Sequence, residues 1–374
     1  MPLMGARGGG SVRGFGRFGA GKPNAPTINS VTVASTSSVT IAYTLGANNG
    51  AAISTINFVS SPSTSLTFTN TDLDGSIVVS GTFTGSQAYT FIMTATNAAG
   101  NSDNSSSSSS VTPRPLPTVT GGTLASDATY YYRTFTSNGN LVVSNANLAI
   151  ESLVVAGGNY GTQVGGGGAG GLRSATQTLT PTTYAAVIGG SGTDSSFNTI
   201  TSTAGGTGGL SAYNVAGGAG GSGGGGGPSG GAGNTPATNP SQGNNGGTGN
   251  QASTYSGGGG GGASESGTSA SDGVSGKGGN GSSEFSSWGV ATSTGHNVSG
   301  TYYYAGGGGG ANSHSGYNAP GGYGGGGNGS VFNDEENFGQ VNTGGGGGGT
   351  AALASRAGGS GIVIVRYLRS AVGG

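Results

Sequence analysis

Residues 256–263 read SGGGGGGA and residues 305–311 read AGGGGGA. Gly165–Gly168, Gly223–Gly227, Gly324–Gly327 and Gly344–Gly349 are similar runs, each with Ala, Ser, Asn or Thr on at least one flank. What these runs do decides the fold. Glycine loses the most backbone freedom on ordering, so an isolated run is a flexible linker. Two features argue against a linker here. The segments between runs carry Tyr184, Phe197, Tyr213, Tyr255, Phe285, Trp288, Tyr302, Tyr303, Tyr304, Tyr317, Tyr323, Phe332 and Phe338, and the chain then returns to a buried-type strand, GIVIVRY, at 361–367. The reading that accommodates both is a bundle of extended polyproline-II-like segments. That conformation has three residues per turn and about 3.1 Å rise, and its peptide groups point outward. Only glycine lets such axes approach closely enough to hydrogen-bond sideways, so backbone pairing replaces an apolar core.

The composition agrees. Glycine is 89 of 374 residues, 70 of them between 157 and 361, and charged residues are 6%, against about 25% in an ordinary soluble domain. A segment so poor in side chains excludes a metabolic enzyme filling the chain. Runs of glycine with only 12 prolines exclude collagen. A net charge of −1 with recurrent Val, Ile, Phe and Tyr is wrong for charge-driven disorder. Absence of cysteine removes disulfide frameworks and thiol catalysis. No apolar run reaches the roughly 20 residues of a membrane helix, and no signal-peptide pattern is visible at the N-terminus. Charge is segregated: residues 1–22 hold Arg7, Arg13, Arg17 and Lys22 and no acid, on a weakly acidic body, which reads as a docking arm.

After Pro23 and Pro26 the texture changes. Apolar residues alternate at Ile28, Val31, Val33; Val39, Ile41, Tyr43; Ile53, Ile56, Phe58; Leu66, Phe68; Ile77, Val79; and Tyr89, Phe91, Met93, with turn clusters at 46–50 and 72–75. Short strands at this spacing predict a β-sandwich. Ser105–Ser110 followed by Pro113, Pro115 and Pro117 reads as a linker. Residues 129–156 are strand-like again, and Asn138-Gly139 between Thr129–Thr136 and Asn140–Ser144 is a hairpin signal. The strand-forming ends at 129–156 and 361–369 are expected to pair into one small sheet, with the glycine bundle (157–360) as an excursion from it. The fold class is all-β: an arm (1–22), a sandwich (23–116) and a glycine-rich domain (117–374).

Two resemblances follow from particular stretches. The run 89–100, YTFIMTATNAAG, resembles the penultimate strand and turn of fibronectin type III domains, with Tyr89 where that fold has its tyrosine corner and Tyr43 where a Trp is frequent. It covers about residues 24–112. The succession YRTFTSNGNLVVSNANLAIESLVVAGG, then glycine runs with SSFN, then GGSGIVIVRY, resembles glycine-rich C-terminal domains of phage and other large-virus virion proteins. With the opening MPLMGARGGGSVRGFGRFG it resembles tail-fibre or adhesin-like structural proteins of tailed phages, particularly of marine cyanobacteria. The resemblance implies a polyglycine-II sandwich holding receptor-binding loops at one end. It further implies a virion location, assembly in the host cytoplasm, and other virion proteins and a host surface receptor (glycan or outer-membrane protein) as partners. A homo-oligomer, with a trimer preferred, is expected too.

Sites of catalysis are not expected. G-x-G-x-x-G matches arise by chance at this composition and none opens a helix after a strand. Lys277 lacks the following Ser or Thr of a phosphate loop. His296 and His314 have no acidic neighbour in sequence. Residues 70–75 imitate a calcium loop without its closing Glu, and Asp334-Glu335-Glu336, acidic enough to bind a cation, reads by default as a solvated acidic loop. The expectation is no enzyme, no cofactor, no metal site and no membrane insertion. Arg7, Arg13, Phe15, Arg17 and Phe18 are the anchoring residues. Their Arg-Gly-Phe texture also resembles RNA-binding arms, although docking to a virion neighbour is preferred and no nucleic-acid partner is expected. A purely architectural role is the alternative to attachment. For attachment, contact is expected at Trp288, His296, Tyr302, Tyr303, Tyr304, His314, Tyr317 and Tyr323, because a packed run offers only hydrogens while its connections offer aromatic faces. The competing reading makes those aromatics inward plugs.

Overall fold

A computed structural model describes residues 19–84, 87–210, 214–251, 255–313, 319–330, 337–351 and 355–373. The chain divides into two compact units, Met1–Leu116 and Pro117–Gly374.

In the first unit, β1 (Thr27–Val33), β2 (Ser38–Thr44), β5 (Ser76–Gly81) and β4 (Leu66–Thr67) form one antiparallel sheet in that order. The other sheet is β3 (Thr55–Ser61), β6 (Thr90–Asn97) and β7 (Gly100–Asn101). Side chains alternate along β2, β3, β5 and β6, and the inward set (Val39, Ile41, Tyr43, Ile56, Phe58, Ile77, Val79, Phe91, Met93) makes the core. The period of two in the sequence is thus the sandwich interior. Tyr89 is buried, and its hydroxyl accepts the Thr84 N–H at 2.9 Å, the backward bond of a tyrosine corner. Tyr43 is buried beside Phe58 and donates its hydroxyl to the Asp72 carbonyl at 2.7 Å.

The serine tract is not a linker. Beyond β7 the chain runs alongside β6, and every third residue engages it. Ser102, Ser105 and Ser108 donate their N–H groups to the carbonyls of Ala95, Met93 and Phe91 (2.8–2.9 Å), and their Oγ atoms accept the N–H groups of the same residues (2.9–3.0 Å). A strap of period three thus matches a strand of period two, serine hydroxyls standing in for missing peptide carbonyls. A serine-rich composition expects flexibility, but the open edge of β6 offers peptide groups that order the tract.

The second unit contains a second sandwich, larger than the expected base. One sheet has the order β13 (Leu172–Leu179), β12 (Leu148–Val155), β19 (Ile362–Leu368), β10 (Tyr130–Phe135), β9 (Thr123–Ser126). The ends of the domain do pair: β19 lies between β10 and β12, Ile364 facing Thr134 on one side and Leu153 on the other. The second sheet is β16 (Ile200–Ser202), β15 (Ser195–Phe197), β14 (Thr182–Val187), β11 (Gly139–Ser144), β8 (Thr118–Thr120). Phe135, Leu141, Val143, Leu148, Ile150, Leu179, Phe197, Val363 and Val365 are part of the core built on both sheets. Asn138-Gly139 does not close a hairpin. Both edges of β10 are occupied by β9 and β19, so β11 goes to the opposite sheet and pairs with β14 and β8. The turn is a crossover, and Asn138 Oδ1 fixes it by accepting the Ile188 N–H at 2.8 Å.

The glycine runs are packed rods. Successive residues of 166–171 donate to successive neighbours: Gly166 to Gly258, Gly167 to Gly347 and Gly168 to Gly206. Ala169, Gly170 and Gly171 then repeat the cycle onto Gly261, Gly344 and Thr203, all at 2.7–3.1 Å. The same rod accepts from Gly308 and Ala311, from Ser222 and Gly225, and from Asn159 and Thr162. Each threefold turn therefore sends one donor in each of three directions and accepts from three others, which surrounds the rod completely. Rods 257–263 and 305–311 are enclosed in the same manner. Neighbours run in both senses: 257 and 260 meet 311 and 308, whereas 306 and 309 meet 324 and 327. A Cβ on Gly259 would collide with the Lys277 carbonyl, and one on Gly346 with that of Gly167.

Candidate functional site

The rods give the second unit an inner and an outer end. Rod 156–162 leaves β12 directly, turns at Gln163-Val164, where Val164 has φ of 66°, and returns as 164–171 into β13. Seven residues at about 3.1 Å carry the tip roughly 20 Å beyond the sheet. Val164 bridges Leu210, Gln163 bridges Thr350, Thr350 bridges Ser330, Ser256 bridges Asn250 and Asn312, and Gly161 bridges Arg356. Gln251 donates to Asn214 Oδ1 at 2.9 Å, joining two connections laterally. The residues that begin and end the connections at 210–214, 251–255, 313–319, 330–337 and 351–355 thus lie together at this outer end. Tyr255 is 40% exposed there, with Val215 and Val274 also exposed and Tyr160 exposed two residues before the turn.

Most of the aromatic residues chosen from sequence lie at the opposite end. Trp288 is only 3% exposed, on α1 (Ser286–Thr292), and packs with Phe285, Tyr132, Leu153, Ile362 and Ile364 against the face of the β12–β19 sheet turned away from the sandwich core. Tyr304 is fully buried in the same cluster and donates its hydroxyl to the Thr294 carbonyl at 3.0 Å. Burial pushes its pKa up to about 12. These two are plugs, correcting their expected role as contacts. Their positions between rod ends and sheet explain it: the glycine lattice brings no apolar side chains, so the junction needs large ones.

Tyr302 and Tyr303 lie half-buried on β18 (Thr301–Tyr303), which pairs with β17 (His296–Val298) around Ser299-Gly300, both at positive φ, as a two-residue hairpin requires. His296 Nδ1 accepts the N–H groups of Gly324 and Gly325 at 3.1 and 3.2 Å. Its partial burial lowers its pKa. The imidazole and Tyr303 flank the exposed ring of Tyr323 at 6.4 and 5.4 Å. Tyr323 is the one expected contact residue that the described structure leaves largely open. His314 and Tyr317 lie outside the described residues, as do Arg7, Arg13, Phe15, Arg17 and Phe18. Sequence reasoning missed Tyr160 and Tyr255 at the outer end. The signal was available for Tyr255, since only Ser256 separates it from one of the two longest runs.

Arg366 is the best-held charge in the unit. It pairs with Glu151 across β19–β12 at 2.7 Å and lies between the rings of Tyr130 and Trp288 at 4.3 and 4.6 Å. Asp127 accepts from Tyr132, Tyr130 and Thr129; burial pushes its pKa up, and these bonds outweigh that, so the net shift is downward. These groups tie down the sheet. Among the described residues no cluster of three His, Asp or Glu could hold a metal, and no helix is long and apolar enough to cross a membrane.

A family model described as a glycine-rich domain matches residues 134–368. The chain belongs to this glycine-rich domain family. The family segment starts on β10 and ends on β19, so it comprises the strands that close the base together with the whole rod bundle. No curated protein matches the chain. Among solved structures the chain is similar to titin kinase and its flanking domains, at 15% identity and a TM-score of 0.21, over 34% of this chain and 30% of that one. It is likewise similar to the chicken CNTN1 FN1–FN3 domains, at 15% identity and a TM-score of 0.21, over 50% of this chain and 66% of that one. The chain therefore spans less than two thirds of either structure's length.

Proposed function

We propose that this glycine-rich domain protein is a structural component of a phage virion, a tail fibre or other appendage, that attaches to the host surface through the outer end of its rod bundle. The observation that carries the reading is the convergence of connections at one end of a rigid lattice, with Tyr160 and Tyr255 exposed beside them. Aromatic faces of this kind suit sugar rings and protein hot spots, and function concentrates on loops held by a rigid scaffold. The sandwich acts as a spacer and residues 1–22 as the anchor to neighbouring virion proteins.

The test is adsorption of the labelled full-length chain to cells of the host. The double substitution Tyr160→Ala and Tyr255→Ala is expected to lower adsorption tenfold or more with an unchanged melting temperature. Trp288→Ala is expected to cost about 3–5 kcal/mol of stability instead. Undiminished adsorption by the outer-end variant rejects the attachment reading and leaves an architectural one, in which labelling of intact particles finds a continuous lattice of copies.

A further inference from the structure

We propose that Arg356 anchors an anion site at the outer end of the bundle, taking the carboxylate or phosphate group of a hydroxyl-rich polymer. The proposal deepens the attachment reading and rests on it for biological meaning. The backbone of Arg356 is fixed: its N–H donates to Gly161 at 2.8 Å and its carbonyl accepts from Gly161 at 2.9 Å. The residue is 4% exposed. Its Nη1 donates to the Ser355 carbonyl at 3.3 Å, while the buried Nε and Nη2 have no hydrogen-bond partner.

Nε–H and one Nη2–H point the same way and form the edge of a guanidinium that grips a carboxylate or phosphate. Arg366 shows that edge in use in this same chain, with Nε and Nη2 donating to Glu151 Oε2 at 3.2 and 2.7 Å beneath aromatic rings. Arg356 repeats the arrangement, with the Phe338 ring 5.8 Å from its guanidinium carbon, but no described carboxylate meets its edge. Burying a cation without a counter-charge is strongly unfavourable, so an apolar residue would serve stability better at this position. A charge kept here is a charge meant for an anion. Gln163, two residues beyond Gly161 at the rod tip, contributes a second buried atom without a partner, its Oε1. That acceptor suits a hydroxyl on the anion's carrier, as in a uronic acid or a sugar phosphate. Phe338 is 48% exposed, so the ring beside the guanidinium borders solvent.

The Arg356 Nε–H resonance of the full-length protein, titrated with sodium glucuronate, with inorganic phosphate and with sodium chloride, tests the site. Saturable shifts with glucuronate or phosphate and none with chloride are expected, and whichever anion acts tells a carboxylated from a phosphorylated source. Isothermal titration should show binding lost in Arg356→Ala and weakened roughly tenfold in Arg356→Lys, which keeps the charge but not the two-pronged edge. The lysine variant keeps the test valid if the alanine variant unfolds. Absence of a saturable shift overturns the proposal. So does binding that emerges only when Asp334, Glu335 and Glu336 are changed to Asn, Gln and Gln, since the chain's own carboxylates would then own the edge. Anion binding without host adsorption rejects the attachment reading and leaves the site standing.

Discussion

The Oγ of Ser105 accepts the N–H of Met93 while the N–H of the same serine donates to the Met93 carbonyl. One residue thereby satisfies both polar groups of a buried strand residue. Ser105→Ala leaves the Met93 N–H without an acceptor, at an expected cost of about 1–3 kcal/mol. Ser106→Ala, on the exposed side of the strap, is expected to change stability by less than about 0.5 kcal/mol. Hydrogen exchange at Met93 should accelerate in the first variant and not in the second. Composition could not show this, because every position from 105 to 110 is serine and the two that matter there, Ser105 and Ser108, differ from the rest only in facing β6. His296 makes a pH prediction at the same scale. Burial lowers its pKa, so the folded state favours the neutral ring that accepts from Gly324 and Gly325. A lowered histidine pKa means that stability is complete above the ordinary value near 6.5 and declines as pH falls below it. The wild-type melting temperature is therefore expected to drop between about pH 7 and about pH 5 more steeply than that of His296→Gln, which can still accept but does not titrate. Equal slopes would show that the ring does not couple to folding.

At the scale of the element, the rods invert the usual meaning of glycine. A residue that destabilises helices and strands is required here wherever a neighbouring carbonyl occupies the space of a Cβ. Gly259→Ala and Gly346→Ala are expected to cost about 1–3 kcal/mol or more, as overpacking of an interior does. Gly190→Ala, with no neighbouring atom closer than 4.0 Å, is expected to be tolerated. Thermal melts of the three variants decide it, and equal melting temperatures would mean that the rods are not packed. Steric argument from the runs alone was enough to anticipate the rods, and alternation was enough for the strands. The Asn138-Gly139 crossover was beyond reach for a plain reason. A turn signal says that the chain reverses; it does not say which sheet still has an open edge.

For the whole second unit, the decisive division is between its two ends, and the sequence does not mark it. The segment 284–304 and the segment 311–323 both carry aromatic residues and a histidine between glycine runs. Yet Trp288 and Tyr304 close the junction with the sandwich, whereas Asn312 belongs to the outer bridges. Which end a connection occupies depends on whether its flanking rods run out or back, and a polyglycine run carries no sign of direction. An insertion test separates the ends. Three residues added after Asp272, in the Ser271–Val274 turn near the outer end, where a Cβ on Gly273 would meet no atom within 4 Å, are expected to leave the melting temperature within a degree or two. The same three added after Gly259 should unfold the bundle, as read by loss of amide protection along 164–171 and 305–311.

A lattice of identical peptide units has no internal address, because sliding any rod by one threefold turn, about 9 Å, restores every backbone bond it breaks. Something other than the glycines must stop the slide. The non-glycine residues that bound the runs do so: Val164, Ala305, Ala311 and Thr350 are all fully buried where a glycine run begins or ends, and none fits where the lattice admits only hydrogen. These few side chains act as punctuation in a text of one repeated letter. Growth of the bundle is correspondingly quantised, since a longer reach needs a full turn added to every rod crossing the layer at once. Change over time should therefore gather in the connections and spare the bundle's length.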